Sequence, residues 1–164
     1  MIGSARLFPL NDINTDYIIA GRYKFKTLDM NELAKHIMED IRPNFHNEIQ
    51  KGDFIVAYKN FGCGSSREQA PLAIKHANIS AVIAKSFARI FFRNAINTGL
   101  PLLICKDADT IKENDKLEIN TEKGEIKNIT QTRTLTFTPI PKFMQKILSE
   151  GGLVPYLKKY GDFI

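Results

Sequence analysis

The chain has 164 residues, of which 43% are hydrophobic and 25% are charged, with a net charge of +5. This balance is typical of a globular protein with its own core and excludes a disordered chain. No apolar run approaches the roughly 18–20 residues of a membrane span. The positive charge suits an anionic ligand, but no ribonucleoprotein motif, zinc finger or leucine zipper accompanies it, so nucleic acid is not the expected partner.

The N-terminus lacks a basic stretch followed by an apolar one, and the chain has only two cysteines, Cys63 and Cys105. We therefore expect a cytoplasmic protein with reduced thiols. The cysteines and the three histidines show no zinc or iron–sulfur spacing. This chain alone is expected to bind no metal.

In the first third of the chain, the segment Leu7 to Asn14 is mixed and turn-rich. A helix is predicted from about Met30 to Ile41, with Asp29 as its N-cap and Glu32 completing a capping box. The Arg42-Pro43 pair is expected to end this helix, because the residue before a proline avoids the helical region.

The middle of the chain alternates between predicted strands and helices. The predicted strands are Phe54 to Tyr58, Ala81 to Ala84 and Leu100 to Cys105, and the predicted helices are Ser66 to Ala77 and Phe87 to Thr98, with Gly99 as a stop. This order indicates a parallel sheet with right-handed crossovers.

After Lys106 the pattern changes to short, partly exposed strands. They are predicted at Lys116 to Asn120, Glu125 to Ile129 and Thr132 to Phe137, followed by a helix at Lys142 to Ser149 and an extended arm at Val154 to Leu157. The prediction is an α/β fold in which a small β-rich piece lies beside a three-stranded parallel core, within one domain spanning residues 1–164.

The segment from Gly62 to Gln69 carries the strongest chemical signal, because it lies between a buried strand and a helix. Ligands of open α/β sheets collect at such strand ends. The two glycines permit close backbone approach, and Ser65, Ser66 and Arg67 lie at the predicted helix N-terminus, which favours an anion. Arg67 can also grip a carboxylate through two hydrogen bonds. The pattern therefore indicates a carboxylate or phosphate site.

A purely structural interpretation of the same segment is also open. Ser65 with Glu68, or Ser66 with Gln69, matches a capping box. The spacing of a Walker loop is absent, and Arg67 stands where a dinucleotide-binding motif would have its third glycine. A non-catalytic anion-binding or nucleotide-binding module remains an alternative, which the missing motifs count against.

Four ordered segments resemble the small subunits of 3-isopropylmalate dehydratases, whose fold is similar to the swivel domain of aconitase. They are Asp12 to Ile19, Phe61 to Pro71, Ala84 to Phe91 and Asn94 to Pro101. The resemblance runs over nearly the whole chain. It implies a swivelling β/β/α three-layer domain, in agreement with the predicted elements.

The resemblance also implies an activity. Members of this family isomerise a hydroxy-diacid by removing and returning water, with a [4Fe-4S] cluster on a large partner subunit acting as Lewis acid. By the motif match, Ser65 would be the base, Arg67 would bind a substrate carboxylate and Ser66 would help to hold the oxyanion. Asp16 matches an aspartate close to the active site of the family, although a turn or capping role also fits it.

The resemblance assigns substrate choice to the loop from Gly21 to Thr27. Phe25 offers an apolar contact for an alkyl group, whereas Lys24 or Lys26 can meet an additional carboxylate. A solvated loop with Phe25 in the core is equally open. We expect a two-subunit enzyme of leucine biosynthesis, a heterodimer or heterotetramer. Homoaconitase and dimethylmalate dehydratase are the alternatives within the family.

Two residues depart from patterns of the wider family. Gln69 replaces a histidine that many relatives carry, and little effect on the chemistry is expected. Cys63 stands where aconitase has a glutamate, but isopropylmalate enzymes share the cysteine. We expect Cys63 to be a buried structural thiol, because free cysteine packs as a small hydrophobe.

Overall fold

The computed structural model describes residues 1–24, 26–27, 29–65 and 67–161. The strands are β1 (Ile2–Phe8), β2 (Phe54–Ala57), β3 (Ala81–Ala84), β4 (Leu102–Ile104), β5 (Lys116–Asn120), β6 (Glu125–Asn128) and β7 (Arg133–Thr136). The helices are α1 (Thr15–Ile18), α2 (Gly21–Lys24), α3 (Met30–Ala34), α4 (Phe45–Glu48), α5 (Gln69–His76), α6 (Arg89–Thr98), α7 (Lys142–Ser149) and α8 (Leu153–Tyr160).

The strands form one mixed sheet in the order β4-β3-β2-β1-β5-β6-β7. Strands β1 to β4 pair in parallel, while β5, β6 and β7 continue the sheet through antiparallel pairs. All residues of β2 and β3 are buried, as expected for parallel strands that are covered on both faces.

The two faces of the parallel strands have different covers. Ile55 and Val82 pack in one cluster with residues of α5 and α6. Val56 and Ile83, which point to the opposite face, pack in another cluster with Leu117, Ile119, Ile126 and Leu135 of the antiparallel strands. The antiparallel part therefore curls over one face of the parallel part. The layers are β, β and α, which confirms the predicted fold class.

Strand β1 was not predicted, because its polar residues hide the alternation of a strand. Arg6 is only 9% exposed in the middle of β1, and its Nε donates to Asp53 Oδ2 at 2.6 Å. This ion pair neutralises a charge that would otherwise oppose burial. Because β1 pairs in parallel with β2, the parallel core has four strands and not the predicted three. Strand β1 also pairs with β5, so the β-rich piece continues the same sheet.

Two helices differ from the predicted ones. Asp29 caps α3 as predicted, but α3 ends at Ala34, and Met38 takes a left-handed conformation (φ 57°) with its N–H bonded to the Ile18 carbonyl at 3.0 Å. The extended arm was also wrong. Helix α8 forms there because Pro155 lies in its first turn, where no intrahelical N–H is needed.

The other predicted strands and helices agree with the structure to within a few residues, and Gly99 caps α6 in the left-handed conformation (φ 81°). The short helices α1, α2 and α4 were not predicted. Among the helices that the structure describes, none combines the length and the apolar character required to cross a membrane.

Candidate active site

The turn that follows β2 has a backbone that glycine alone adopts easily. Gly62 and Gly64 have φ angles of 80° and 88°, in the left-handed region. A Cβ on Gly62 would lie 2.1 Å from Cγ of Phe91, so no side chain fits there. The Gly62 N–H also donates to the carbonyl of Ile13 at 2.7 Å. The turn is thereby held against both α6 and the segment that leads into α1.

Ser65 is exposed at the end of this turn, and its backbone is held by Thr15. Thr15 Oγ1 donates to the Ser65 carbonyl at 2.8 Å, and the Thr15 N–H donates to the carbonyl of Cys63 at 2.9 Å. Thr15 is only 2% exposed. A buried hydroxyl thus fixes the backbone of the serine while leaving its side chain accessible. Sequence reasoning included Thr15 in a family segment but assigned it no role.

The predicted capping box of Ser65 with Glu68 does not form. Helix α5 begins at Gln69, and Glu68 is the N-cap residue without a side-chain capping hydrogen bond. Ser65 and Arg67 therefore lie in the connection before the helix and not in its first turn. Ser66, the other predicted residue of this segment, is outside the described residues.

Arg67 forms a close contact with Asp16 of α1. Its Nη1 lies 2.5 Å from Asp16 Oδ1, with the Arg67 side chain 19% exposed and that of Asp16 56% exposed. The distance is that of an ion pair. However, Nη1 has no partner with hydrogen-bond geometry among the described residues. We therefore assign the contact to charge attraction. Nη1 itself is buried, so a carboxylate ligand would be bound through the other donors of the guanidinium.

These residues border a cleft of about 700 Å³. Its lining comprises Thr15, Asn60, Gly62, Gly64, Ser65, Arg67, Ala88, Arg89, Ile90, Phe91 and Arg93. Arg89 and Arg93 are exposed on α6, and neither forms an ion pair with another described side chain. The cleft thus combines three guanidinium groups with one exposed hydroxyl, an arrangement that suits a small molecule with more than one carboxylate.

The structure describes the three residues of the predicted substrate loop to different extents. Phe25 is outside the described residues, and Lys24 is described only through its backbone as the last residue of α2. Lys26 is exposed, and its Nζ lies 5.8 Å from the centre of the Tyr23 ring. Lys26 is not among the described residues that line the cleft. The part of all three residues in substrate choice stays a prediction.

The two cysteines lie in different surroundings. Cys63 is half-buried in the glycine turn, where burial and, to a smaller extent, the charge of Asp12 raise the pKa of its thiol. The expectation of a buried Cys63 was therefore wrong in degree. Cys105 is fully buried with the side chains that face the antiparallel strands. Within the described ranges, no three His, Cys, Asp or Glu side chains cluster in a way that suits a metal ion.

Comparison with a protein-family model identifies the class of protein to which the chain belongs. A family model described as the aconitase C-terminal domain matches residues 14–107, which include the glycine turn, Ser65 and Arg67. The fold is that of an aconitase-type swivel domain.

Individual relatives of the chain point to one family within this class. Small subunit 2 of 3-isopropylmalate dehydratase from Archaeoglobus fulgidus is 57% identical over 99% of this chain and 97% of its own length. The small subunit from Wolinella succinogenes is 57% identical over 90% of this chain and 87% of its own. A crystal structure of 3-isopropylmalate dehydratase from Methanocaldococcus jannaschii has a TM-score of 0.92 and 50% identity, and the match covers 98% and 96% of the two chains.

The chain belongs to the family of 3-isopropylmalate dehydratase small subunits. The resemblance drawn from the four sequence segments is thereby confirmed. The relatives' name, small subunit, implies that those proteins have a larger partner.

Proposed function

We propose that this chain is the small subunit of a two-subunit hydro-lyase that interconverts 2-isopropylmalate and 3-isopropylmalate in leucine biosynthesis. The observation that supports this most directly is the placement of an accessible Ser65 and of Arg67 on one cleft, within a chain that is 57% identical to a named small subunit. The reaction needs a base beside a bound carboxylate, and the lining of one cleft by both residues supports these roles.

Arg67 is the carboxylate-binding residue in this proposal. Its side chain is largely buried, so that a carboxylate bound there is shielded from water and the charge attraction is stronger than at an exposed site. Asp16 is more exposed than Arg67 and balances the guanidinium when no substrate is bound. The substrate carboxylate takes up the remaining donors of Arg67.

Ser65 is the base. Its hydroxyl lies at the end of the glycine turn. As an alkoxide it removes the proton from the carbon next to the carboxylate held by Arg67. A serine alkoxide is unstable in bulk water, but it is stabilised next to a guanidinium in a site from which the partner subunit excludes water. The hydrogen bond from Thr15 to the Ser65 carbonyl keeps the backbone of this base in place.

The iron–sulfur cluster of this enzyme class is assigned to the larger partner subunit. Two cysteines, one fully buried on the β-covered face and one in the glycine turn, do not fit the three or four thiolates that such a cluster requires. A partner-held [4Fe-4S] cluster supplies a Lewis acid for the substrate hydroxyl. Ser66 is proposed to help hold the oxyanion, as the family motif implies.

The substrate is proposed to be an alkylmalate, with Phe25 facing the alkyl group. Each buried methylene contributes roughly 0.8 kcal/mol, which favours an isopropyl group over hydrogen by a few kcal/mol at most. Homocitrate and dimethylmalate are the competing substrates, and a role of Lys24 or Lys26 in binding a third carboxylate would favour homocitrate.

The test is an assay of the chain reconstituted anaerobically with a cluster-bearing large subunit, against 2-isopropylmalate, dimethylmalate and homocitrate. We expect turnover of 2-isopropylmalate by the complex and by neither subunit alone, because the base and the Lewis acid lie on different chains. The absence of turnover on all three substrates would contradict the proposed activity. A higher kcat/KM for homocitrate than for 2-isopropylmalate would show that the enzyme is a homoaconitase.

A further inference from the structure

The first residue of helix α2 lies near the Arg67 guanidinium. A Cβ built on Gly21, the first residue of α2, would lie 3.9 Å from Arg67 Nη1. The position of α2 therefore determines how much space remains beside a carboxylate held by Arg67. A helix of only four residues does not maintain its own position, since isolated helices of this length are unstable in water.

A ring pair holds α2 against the segment that follows α3. The rings of Tyr23 and His36 stack with their centres 3.8 Å apart and an interplanar angle of 8°. Tyr23 Oη donates to Glu39 Oε1 at 3.0 Å, and His36 Nδ1 lies 2.6 Å from Glu39 Oε2. Because a carboxylate only accepts, Nδ1 carries the hydrogen of this bond. The stack and the shared Glu39 form a closed three-residue clamp.

A second tie acts on the same helix. The Arg22 guanidinium pairs with Asp40, with Nη1 3.1 Å from Oδ2, and lies 4.7 Å above the centre of the Tyr23 ring. Arg22 lowers the pKa of the Asp40 carboxyl, and the bond from His36 lowers the pKa of Glu39. Both carboxylates are therefore charged at neutral pH, as the two ties require.

The segment that receives these ties is itself anchored near the site. The Met38 N–H donates to the carbonyl of Ile18 at 3.0 Å, at the end of α1, and α1 carries the Asp16 that pairs with Arg67. Residues 35–41 therefore connect α1, which carries the partner of Arg67, with α2, whose first residue lies near the Arg67 guanidinium.

We propose that the Tyr23–His36–Glu39 clamp is a positioning device that holds α2 beside Arg67 and so sets substrate affinity and the tolerated size of the alkyl substituent. This inference rests on the proposed function, in which Arg67 binds the substrate carboxylate. The three residues do not touch the substrate. They act by keeping the site in its binding-competent arrangement, whose population scales the apparent affinity.

The test compares Tyr23→Leu, which removes the stack, with Tyr23→Phe, which keeps the ring and loses the bond to Glu39. Lys35→Gln is the matched control, because it breaks an exposed ion pair with Glu32 next to the clamp. In the reconstituted complex, Tyr23→Leu is expected to raise KM for 3-isopropylmalate by roughly three- to tenfold, the range of an aromatic pair, with a smaller change in kcat. The ratio of kcat/KM between 3-isopropylmalate and 3-methylmalate is expected to fall. Tyr23→Phe should show a smaller effect and Lys35→Gln none.

A purely structural role gives a different result. Loss of folded protein lowers the apparent kcat for both substrates equally and leaves KM and the substrate ratio unchanged, and this outcome in Tyr23→Leu would overturn the inference. A second measurement does not need turnover. Malate is titrated into the full chain, and binding is followed by NMR of the Arg67 Nε–H. We expect Tyr23→Leu to weaken malate binding by the same factor, and an unchanged dissociation constant would refute the clamp even in an inactive complex. If the wild-type complex shows no turnover, this result contradicts the proposed function, and the malate titration still decides the role of the clamp.

Discussion

Replacing Arg67 with lysine separates charge from geometry at the anion site. Lysine keeps the positive charge next to Asp16 but presents a single ammonium group in place of the planar fork of arginine. The two-point grip on a substrate carboxylate is therefore reduced to one hydrogen-bonding group. The surrounding cleft and its other two arginines are unchanged, so the overall attraction of a dianion to the cleft is retained.

The magnitude follows from the burial of the Arg67 side chain, which is 19% exposed. A hydrogen bond to a charged group contributes about 1.5–3 kcal/mol, and a buried one lies toward the upper end of this range. With about 1.4 kcal/mol for each factor of ten, losing one such bond to the substrate corresponds to a rise in KM of roughly ten- to hundredfold. We expect kcat to change less, because the carboxylate is bound in the ground state and in the transition state alike.

The assay is steady-state kinetics of the reconstituted complex with 3-isopropylmalate. Arg133→Lys, an exposed arginine on β7, is the matched control and should leave both kcat and KM unchanged. If Arg67→Lys lowers kcat while KM stays at the wild-type value, Arg67 stabilises the transition state and does not anchor the substrate. If both constants are unchanged, the carboxylate is bound elsewhere in the cleft.

Three further predictions concern the scaffold of the site. Gly62→Ala adds a Cβ 2.1 Å from the ring of Phe91 at φ 80°, and urea unfolding should show a loss of about 2–3 kcal/mol or more in the free energy of unfolding. The control is Gly161→Ala, where nothing lies within 4 Å of the added Cβ. It should lose no more than the backbone strain of about 1 kcal/mol. Lys75→Met removes hydrogen bonds of 2.9 Å from the amine to carbonyls at the ends of α6 and α7, and should lower the same quantity by about 1–3 kcal/mol; an unchanged urea midpoint would contradict this. Because burial raises the pKa of Cys63, its thiolate fraction at pH 8 is below that of an unfolded chain. Iodoacetamide labelling of Cys63, followed by peptide mass spectrometry, should therefore be slower in the folded protein and should speed up as the pH rises. Equal labelling rates in the folded and unfolded chains would show that the pKa is not raised.

The sequence predicted those parts of the fold whose signal is local. The continuous apolar runs of β2 and β3 indicated strands buried on both faces, and Gly99 marked the end of α6. Strand β1 escaped prediction because the burial of Arg6 depends on Asp53, a partner 47 residues away. Such compensation is visible only when the two segments are brought together.

The end of α3 was missed for a similar reason. Apolar residues continue at helical spacing beyond Ala34, and two of them, Ile37 and Met38, are buried as in an amphipathic helix. However, the Met38 N–H bonds to the carbonyl of Ile18 instead of continuing the helix. A tertiary hydrogen bond therefore outweighed local helix propensity, which is a weak determinant on its own.

The candidate site was predictable as a segment but not as an arrangement. Gly62, Gly64, Ser65 and Arg67 lie within six consecutive positions of the sequence, and both glycines have the left-handed backbone that glycine readily adopts. The hydroxyl of Thr15 on the Ser65 carbonyl joins residues 50 positions apart, so no local pattern reports it. The same holds for the stacked rings of Tyr23 and His36 beside the site.

The most direct test of the proposed chemistry is the turnover of Ser65→Ala in the reconstituted complex. Ser65 is exposed, and its backbone is held by Thr15 through the carbonyl, which alanine retains, so the variant should keep the fold and bind the substrate. If Ser65 is the base, kcat for 3-isopropylmalate should fall by roughly a hundredfold or more while KM changes little. Turnover near the wild-type value would contradict the assignment of Ser65 as the base.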